Sequence, residues 1–244
     1  MALPGISCYC STYGRPTHIL ENAIACFLEQ DYAGPKELVI LNDFAEQELV
    51  FKHPQVRIIN QQDRIKPLGK KFNINIDHCQ YDLLATWEDD DVFLKNRLTT
   101  SFNRMKNGIF HTRDAFYEKA EHDLIKIENI FHSTHLFERS LFHKIGGYNS
   151  TDDVCSIDIE FMDALRKEVG DYTQSLPFAE IFYVYVWAGA QSYHGSGWGP
   201  QKTDISDGAA SVVANQISRG QIKLGRIELN PKHRYDFYKY LPTS

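Results

Sequence analysis

The chain is expected to fold as an α/β domain on a mostly parallel central sheet flanked by helices, with a smaller mixed region and a C-terminal helical, basic tail. Three observations predict it. Strand-like and helix-like segments alternate through the first hundred residues, which implies crossover connections between parallel strands. The strand-like segments are continuous apolar runs, as strands covered on both faces must be. Each of the main runs ends in polar residues, and in open α/β sheets ligands bind beyond the carboxyl ends of the strands.

The elements follow in order. "GISCYCST" is a short run of strand formers that breaks at "YGRP". In "THILENAIACFLEQ" Ile19, Ala23 and Phe27, with Leu20, Ile24 and Leu28, recur at helical spacing. Pro16 suits the first turn, where its missing N–H costs nothing. "DYAGP" stops that helix, and "KELVILND" reads as a buried strand with a polar end. "VRIIN" is the next strand, "PLGKKFNINIDHCQ" a helix and "DLLATWE" another buried strand. Beyond residue 100 the pattern is less regular. "SFNRMKNGIFHTRDAFYEKA" and "LIKIENIFHSTHLF" suggest strands and loops, and "LFERSLFHKIGGYN" a helix closed by Gly146 and Gly147. "SIDIEFMDALRKEVG" places Ile157, Phe161, Ala164 and Leu165 on one face of a helix that opens with acidic residues and ends at Gly170. "EIFYVYVWAG" is a strand, and the glycine-rich stretch from 189 to 208 a loop and candidate lid.

At 244 residues, with 43% apolar and 24% charged, the chain is long enough for one sizeable core. No run approaches the roughly 20 apolar residues of a bilayer-spanning helix, and the N-terminus lacks a signal pattern, so a cytosolic protein is expected. Five cysteines at irregular spacing are expected to stay reduced, with Cys8 and Cys10 as small core residues. A net charge of −6 argues against a surface that coats nucleic acid. The exception is the segment from Arg219 to Ser244. There Arg219, Lys223, Arg226, Lys232, Arg234 and Lys239 outnumber Glu228 and Asp236, six to two.

Three polar clusters fall at predicted strand ends: "STYGR", "ND" and "EDDD". The last is the most demanding, because Glu88, Asp89, Asp90 and Asp91 are consecutive and like charges raise one another's pKa. A divalent cation between them is the natural remedy, with one or two carboxylates as ligands and substrate phosphate completing the shell. A solvated acidic turn is the alternative. A lysine or arginine side chain standing among these carboxylates would remove the argument for a metal.

"ISCYCSTYGRP", "FLEQDYAGPKELVILND", "WEDDDVFLKNRL", "IGGYN" and "SIDIEF" occur in the order and approximate spacing of family-2 glycosyltransferases with the GT-A fold, which the chain resembles over roughly residues 5 to 165. The resemblance implies transfer of a sugar from a nucleotide-diphosphate sugar to an acceptor hydroxyl. Thr12, Tyr13 and Arg15 would line the nucleotide pocket, and Asp43 would accept from the base, most often uracil. Lys70 and Asn73 match a nucleotide-facing helix start. The family's Asp-x-Asp motif fits Glu88-x-Asp90 or Asp89-x-Asp91, so Asp89, Asp90 and Asp91 all stand as ligands of Mn²⁺ or Mg²⁺, with Asp89 and Asp90 also touching the donor. Asp158 matches the base that takes the acceptor proton in an inverting transfer, with Asp152 and Asp153 as fallback, since Ile157 holds a place where the family usually has Glu. His194 resembles a late metal-binding histidine, and Trp198 could stack on a sugar face or the acceptor. His132 and His135 are read as structural.

Residues 1–100 would then form the nucleotide-sugar half of a single domain, 101–215 the acceptor half and 216–244 the basic tail. Two other functions stay open. The tail could hold a polyanionic acceptor such as hydroxylated-base DNA or a phosphorylated glycan, or the chain could be a silent nucleotide-sugar or carbohydrate-binding module. A nucleotidylyltransferase would open with a glycine-rich phosphate loop, whereas "STYGRP" has one glycine.

Overall fold

The structure, a computed structural model, describes residues 2–151, 157–186 and 208–243. Its centre is β1 (Ile6–Thr12), a strand buried over most of its length. Parallel to it lie β2 (Lys36–Asn42) on one side and β5 (Leu83–Thr86) on the other. β4 (Val56–Asn60) extends the sheet in parallel beyond β2. Beyond β5 the direction reverses: β10 (Leu136–Glu138) runs antiparallel to both β5 and β7 (Ile109–Thr112), and the short β11 (Thr173–Gln174) closes the edge parallel to β7. The order β11-β7-β10-β5-β1-β2-β4 is the mostly parallel sheet expected from the alternation.

The period-2 alternation of a strand sorts β1 between two layers. Ile6, Cys8 and Cys10 pack with Leu20, Ala23, Ile24 and Phe27 of α1 (Thr17–Leu28), while Tyr9 faces Phe72 and Ile76 of α2 (Leu68–Asp77) and Phe161 and Leu165 of α5 (Ile157–Val169). Burial pushes the Cys8 thiol up to about 12, as expected of an inert core cysteine, and Cys8, Cys10, Cys26 and Cys79 are all free.

A second sheet, β6-β12-β8-β9, is built from β6 (Val92–Phe93), β12 (Tyr183–Val186), β8 (Asp114–Ala120) and β9 (Asp123–Glu128). Residues 88–91 lie between β5 and β6, so the acidic run is the corner at which the chain leaves one sheet for the other.

Some expectations need correcting. The stretch starting at Ser101, expected as strands and loops, begins inside α3 (Arg97–Arg104), whose apolar face is only Leu98 and Phe102 and leaves no visible period. α4 (Arg139–Lys144) ends at the Gly146–Gly147 pair as anticipated. The C-terminal segment, expected as a basic tail, packs against the rest of the described chain. After α6 (Gly208–Ser218), β13 (Gly225–Glu228) pairs in parallel with β3 (Gln47–Val50), and the following residues return over α1, where Glu21 accepts from the Asn230 N–H and Asn22 from the Arg234 N–H. Arg226 pairs with Glu48, Arg234 with Glu118 and Lys239 with Asp236.

Candidate active site

The sheet order β5-β1-β2 sets the three polar clusters side by side at one edge. Gly14, with φ +55°, turns the chain sharply after β1, in a conformation that costs glycine little. Arg15, restricted by the proline that follows it, is held at its carbonyl by Gln47 Nε2 at 3.1 Å. Its guanidinium points into the acidic run. Nε and one NH2 hydrogen donor grip the two oxygens of Asp89, each at 2.9 Å, and the same nitrogen donates to Asp90 Oδ2 at 2.7 Å.

The remaining two carboxylates have partners of their own. Asp91, buried, accepts from the Tyr183 hydroxyl at 2.5 Å and from the Val186 N–H at 2.9 Å; burial and then the charge of Asp90 raise its pKa well above the usual carboxylate range. Glu88 Oε1 lies 3.5 Å from His132 Nδ1. His132 Nε2 is 2.5 Å from the Tyr148 hydroxyl, which is 2.7 Å from that of Tyr9, itself 3.0 Å from Thr86 Oγ1. With Thr86 as first donor and Glu88 as last acceptor, every hydroxyl and both imidazole nitrogens in this chain are satisfied. Burial, Tyr9, Glu88 and Asp158 together push the Tyr148 hydroxyl pKa well up, which puts Tyr148 within the field of both carboxylates. Beneath the run, fully buried Arg97 donates to the Thr86 and Ser133 carbonyls and stacks on Phe93 and Trp87. Burial lowers its pKa to about 10.

At the end of β2, Asp43 is buried. Its Oδ1 accepts from Lys71 Nζ at 2.5 Å and its Oδ2 from the Ile65 N–H at 2.8 Å. Lys71 Nζ also donates to the Thr12 carbonyl at 2.6 Å, and burial lowers its pKa despite Asp43. The Thr12 hydroxyl is buried with no hydrogen-bond partner among the described residues. Tyr13 lies with its ring centre 4.2 Å from the Arg64 guanidinium and meets Phe44 edge-on. Val213 of α6 covers Gly14, so closely that a Cβ there would come within 2.8 Å of it.

Thr12, Tyr13, Arg15 and Asp43 therefore share one edge with Asp89, Asp90 and Asp91. Lys70 does not join them. It lies on the solvent side of α2, and the inward lysine is Lys71, one helical position on. Asn73 faces away too, its amide closing a pair of hydrogen bonds on the Tyr148 backbone. It fixes the "GGYN" loop against α2, where Gly69 sits so near the Asn149 carbonyl that a Cβ would meet it at 1.8 Å. Asp158 opens α5, half-buried, accepting from the Ile159 N–H at 2.9 Å. Asp152, Asp153, His194, Trp198 and the loop from 189 to 207 lie outside the described residues.

The argument that the run needs a metal is overturned by Arg15, the arginine whose presence would remove it. Each carboxylate is compensated by a protein group, and no group of three or more His, Cys, Asp or Glu among the described residues could hold a metal ion. What the donor set fits is a single-carboxylate site. Asp89, with 4% of its side chain exposed, is gripped on both oxygens and Asp91 is held by two donors, whereas Asp90, at 24%, lies at the rim. One hard oxygen ligand with the shell completed by phosphate and water is an ordinary arrangement for Mg²⁺. Lys71, His132, Tyr148, Tyr183 and Arg97 are not singled out as site residues by the sequence, because each is placed by partners outside its own element, for instance 11 residues away for Arg97 and Thr86 and 92 for Tyr183 and Asp91.

No family model and no curated protein matches the chain. Solved structures do match in fold. Residues 1–349 of S. aureus TarS superpose with a TM-score of 0.54 at 12% identity, over 74% of this chain and 60% of that one. The mannosyltransferase PcManGT from Pyrobaculum calidifontis, in complex with GDP-Man and Mn²⁺, gives 0.53 at 15% identity over 75% and 59%. TarS 1–349 in complex with UDP-GlcNAc gives 0.53 at 12% identity over 75% and 58%. The chain thus spans about three-fifths of the length of these structures. It has the GT-A-like α/β fold found in nucleotide-sugar glycosyltransferases, and no helix among the described residues is long and apolar enough to cross a membrane.

Proposed function

We propose that the protein is a glycosyltransferase that moves a sugar from a nucleotide-diphosphate sugar, of which a UDP-sugar is the leading candidate, to an acceptor hydroxyl. The observation that carries this reading is the meeting of Arg15, Asp43 and the acidic run at one sheet edge, in a fold shared with proteins whose structures hold UDP-GlcNAc or GDP-Man. Arg15 suits the diphosphate because a guanidinium fork matches phosphate oxygens as it matches a carboxylate. Asp43 keeps a second lone pair on each oxygen for a ring N–H. The Tyr13 ring, with Arg64 over it, and the orphaned Thr12 hydroxyl line the same edge.

In an inverting transfer the acceptor oxygen forms its bond to the anomeric carbon as the bond to the diphosphate breaks on the opposite face. The proton of the acceptor hydroxyl passes to Asp158, a carboxylate at the start of α5. Asp90 is the side chain that would hold a divalent cation, which when bound supplies positive charge to the departing diphosphate. Glu88, through His132 and Tyr148, is fixed to the same hydrogen-bonded chain that packs beneath α5. A polyanionic acceptor remains the second reading: of the six basic residues on which it rests, Arg226, Arg234 and Lys239 also pair with acidic side chains within the chain.

A thermal-shift panel of nucleotide sugars with and without Mn²⁺, followed by a sugar-release assay, tests the reading. Selective stabilisation by one nucleotide sugar and release of its sugar are expected. Stabilisation without release, with acceptors and metal in excess, would instead identify a binding module. Asp158→Asn should lower transfer by about 10²-fold or more while leaving donor stabilisation intact; undiminished transfer removes Asp158 from the role.

A further inference from the structure

Two arginines lie by the acidic run, and only Arg15 is bonded to its carboxylates. Arg97 is sealed under Trp87 and Phe93 and bonded to two carbonyls, so it cannot leave. Arg15 is different. Its backbone is fixed by the Gly14 turn, Pro16 and Gln47, but its three-methylene side chain runs along the rim with 10% of its surface exposed.

We propose that Arg15 is the resident counter-ion of the acidic run and a direct competitor of the divalent cation, so that a metal gains Asp90 only as the guanidinium is drawn away. One nitrogen of Arg15 serves both Asp89 and Asp90, at 2.9 and 2.7 Å, so a dication on Asp90 would face a positive group already within hydrogen-bonding distance of the same carboxylate. Guanidinium stays charged at any working pH, so deprotonation gives no escape. Displacement does: a diphosphate offers the fork the same bidentate acceptor that Asp89 offers now. Donor and cation would then enter together, each raising the affinity of the other by an equal factor, as linkage requires. This last step rests on the reading of the site as a diphosphate site; the competition itself does not.

The test uses Mn²⁺ alone, titrated into the full chain without nucleotide and followed by calorimetry or by the electron-spin resonance of the free ion. Wild type should bind weakly, and Arg15→Gln at least about tenfold more tightly, within the usual range of coupling factors. Adding Asp90→Asn to Arg15→Gln should return the affinity to the wild-type level. A structural role for Arg15 predicts the opposite sign, since disordering the loop would scatter the ligands. Unchanged or weaker Mn²⁺ binding by folded Arg15→Gln overturns the proposal, as does a gain that survives Asp90→Asn. Should circular dichroism show Arg15→Gln unfolded, Arg15→Lys takes its place. Lysine keeps the charge and loses the fork, so a gain of about threefold is expected and no gain overturns the proposal. Because no nucleotide is present, these outcomes stand whether or not the chain transfers sugar.

Discussion

Two buried polar clusters in this molecule are held in opposite ways. At the carboxyl ends of β1, β2 and β5 the partners are ionic: Arg15 with Asp89 and Asp90, and Lys71 with Asp43. Under β7 and β10 the partners are neutral. His135 Nδ1 donates to the His132 carbonyl and its Nε2 lies 3.0 Å from the Tyr172 hydroxyl, while His111 Nε2 donates to the Phe131 carbonyl and Nδ1 lies 3.2 Å from Thr173 Oγ1. Their rings lie with centroids 4.4 Å apart, tilted by 31°. A carbonyl partner fixes a tautomer and serves nothing else; a salt bridge can be exchanged for a charged ligand. Burial alone therefore does not separate site from scaffold, whereas the charge of the partners does.

Breaking one ionic pair should have the largest effect. Lys71→Met leaves the Asp43 carboxylate buried without its cation and should cost about 3–5 kcal/mol in urea unfolding, with much of it recovered when Asp43→Leu is added. Equal losses for the single and double variants would mean that Lys71 acts by packing. The neutral cluster should respond to acid instead. Burial holds His111 at about 4 and His135 well below the usual value, with Arg166, Arg113 and His132 opposing their protonation as well. Between pH 6.5 and 4 the unfolded chain then binds protons that the folded one does not, so stability is lost as pH falls through that window. His111 accounts for on the order of 3 kcal/mol of this loss. His111→Asn should flatten that slope in urea melts taken across the window.

A smaller effect is expected where the clusters touch. Tyr148→Phe strips the hydroxyl between His132 and Tyr9 and should cost about 1–2 kcal/mol, with a larger fall in transfer than in donor binding if Glu88 depends on that chain. The smallest belongs to the surface. Arg226 and Glu48 are both more than half exposed, so Arg226→Ala should shift stability by no more than about 0.5 kcal/mol and leave acceptor affinity insensitive to salt.

The difference also explains what the sequence could reveal. β1, β2 and β5 were legible because a doubly covered strand must be continuously apolar, and their polar ends marked the site edge. Arg15, Asp43 and the acidic run were found because they sit at those ends. The choice of Lys71 over Lys70 depends on one step of helix phase. The bond from Arg15 to Asp89 spans 74 residues, and nothing local encodes it. β3 and β13, "QELV" and "GRIE", are too short and polar to read as strands, and the histidine cluster is assembled from three separate segments.

The pairing of β13 with β3 joins residues near 47 to residues near 225. During synthesis the N-terminal half can emerge and collapse, but its lateral edge beside Gln47 stays open until the residues near 225 have left the ribosome. The Gln47 amide that steadies Arg15 also donates to the Lys223 carbonyl, so the binding loop acquires this support only once the segment around Lys223 has been made and docked. A nascent chain stalled before that point would carry a complete central sheet and an unfinished site.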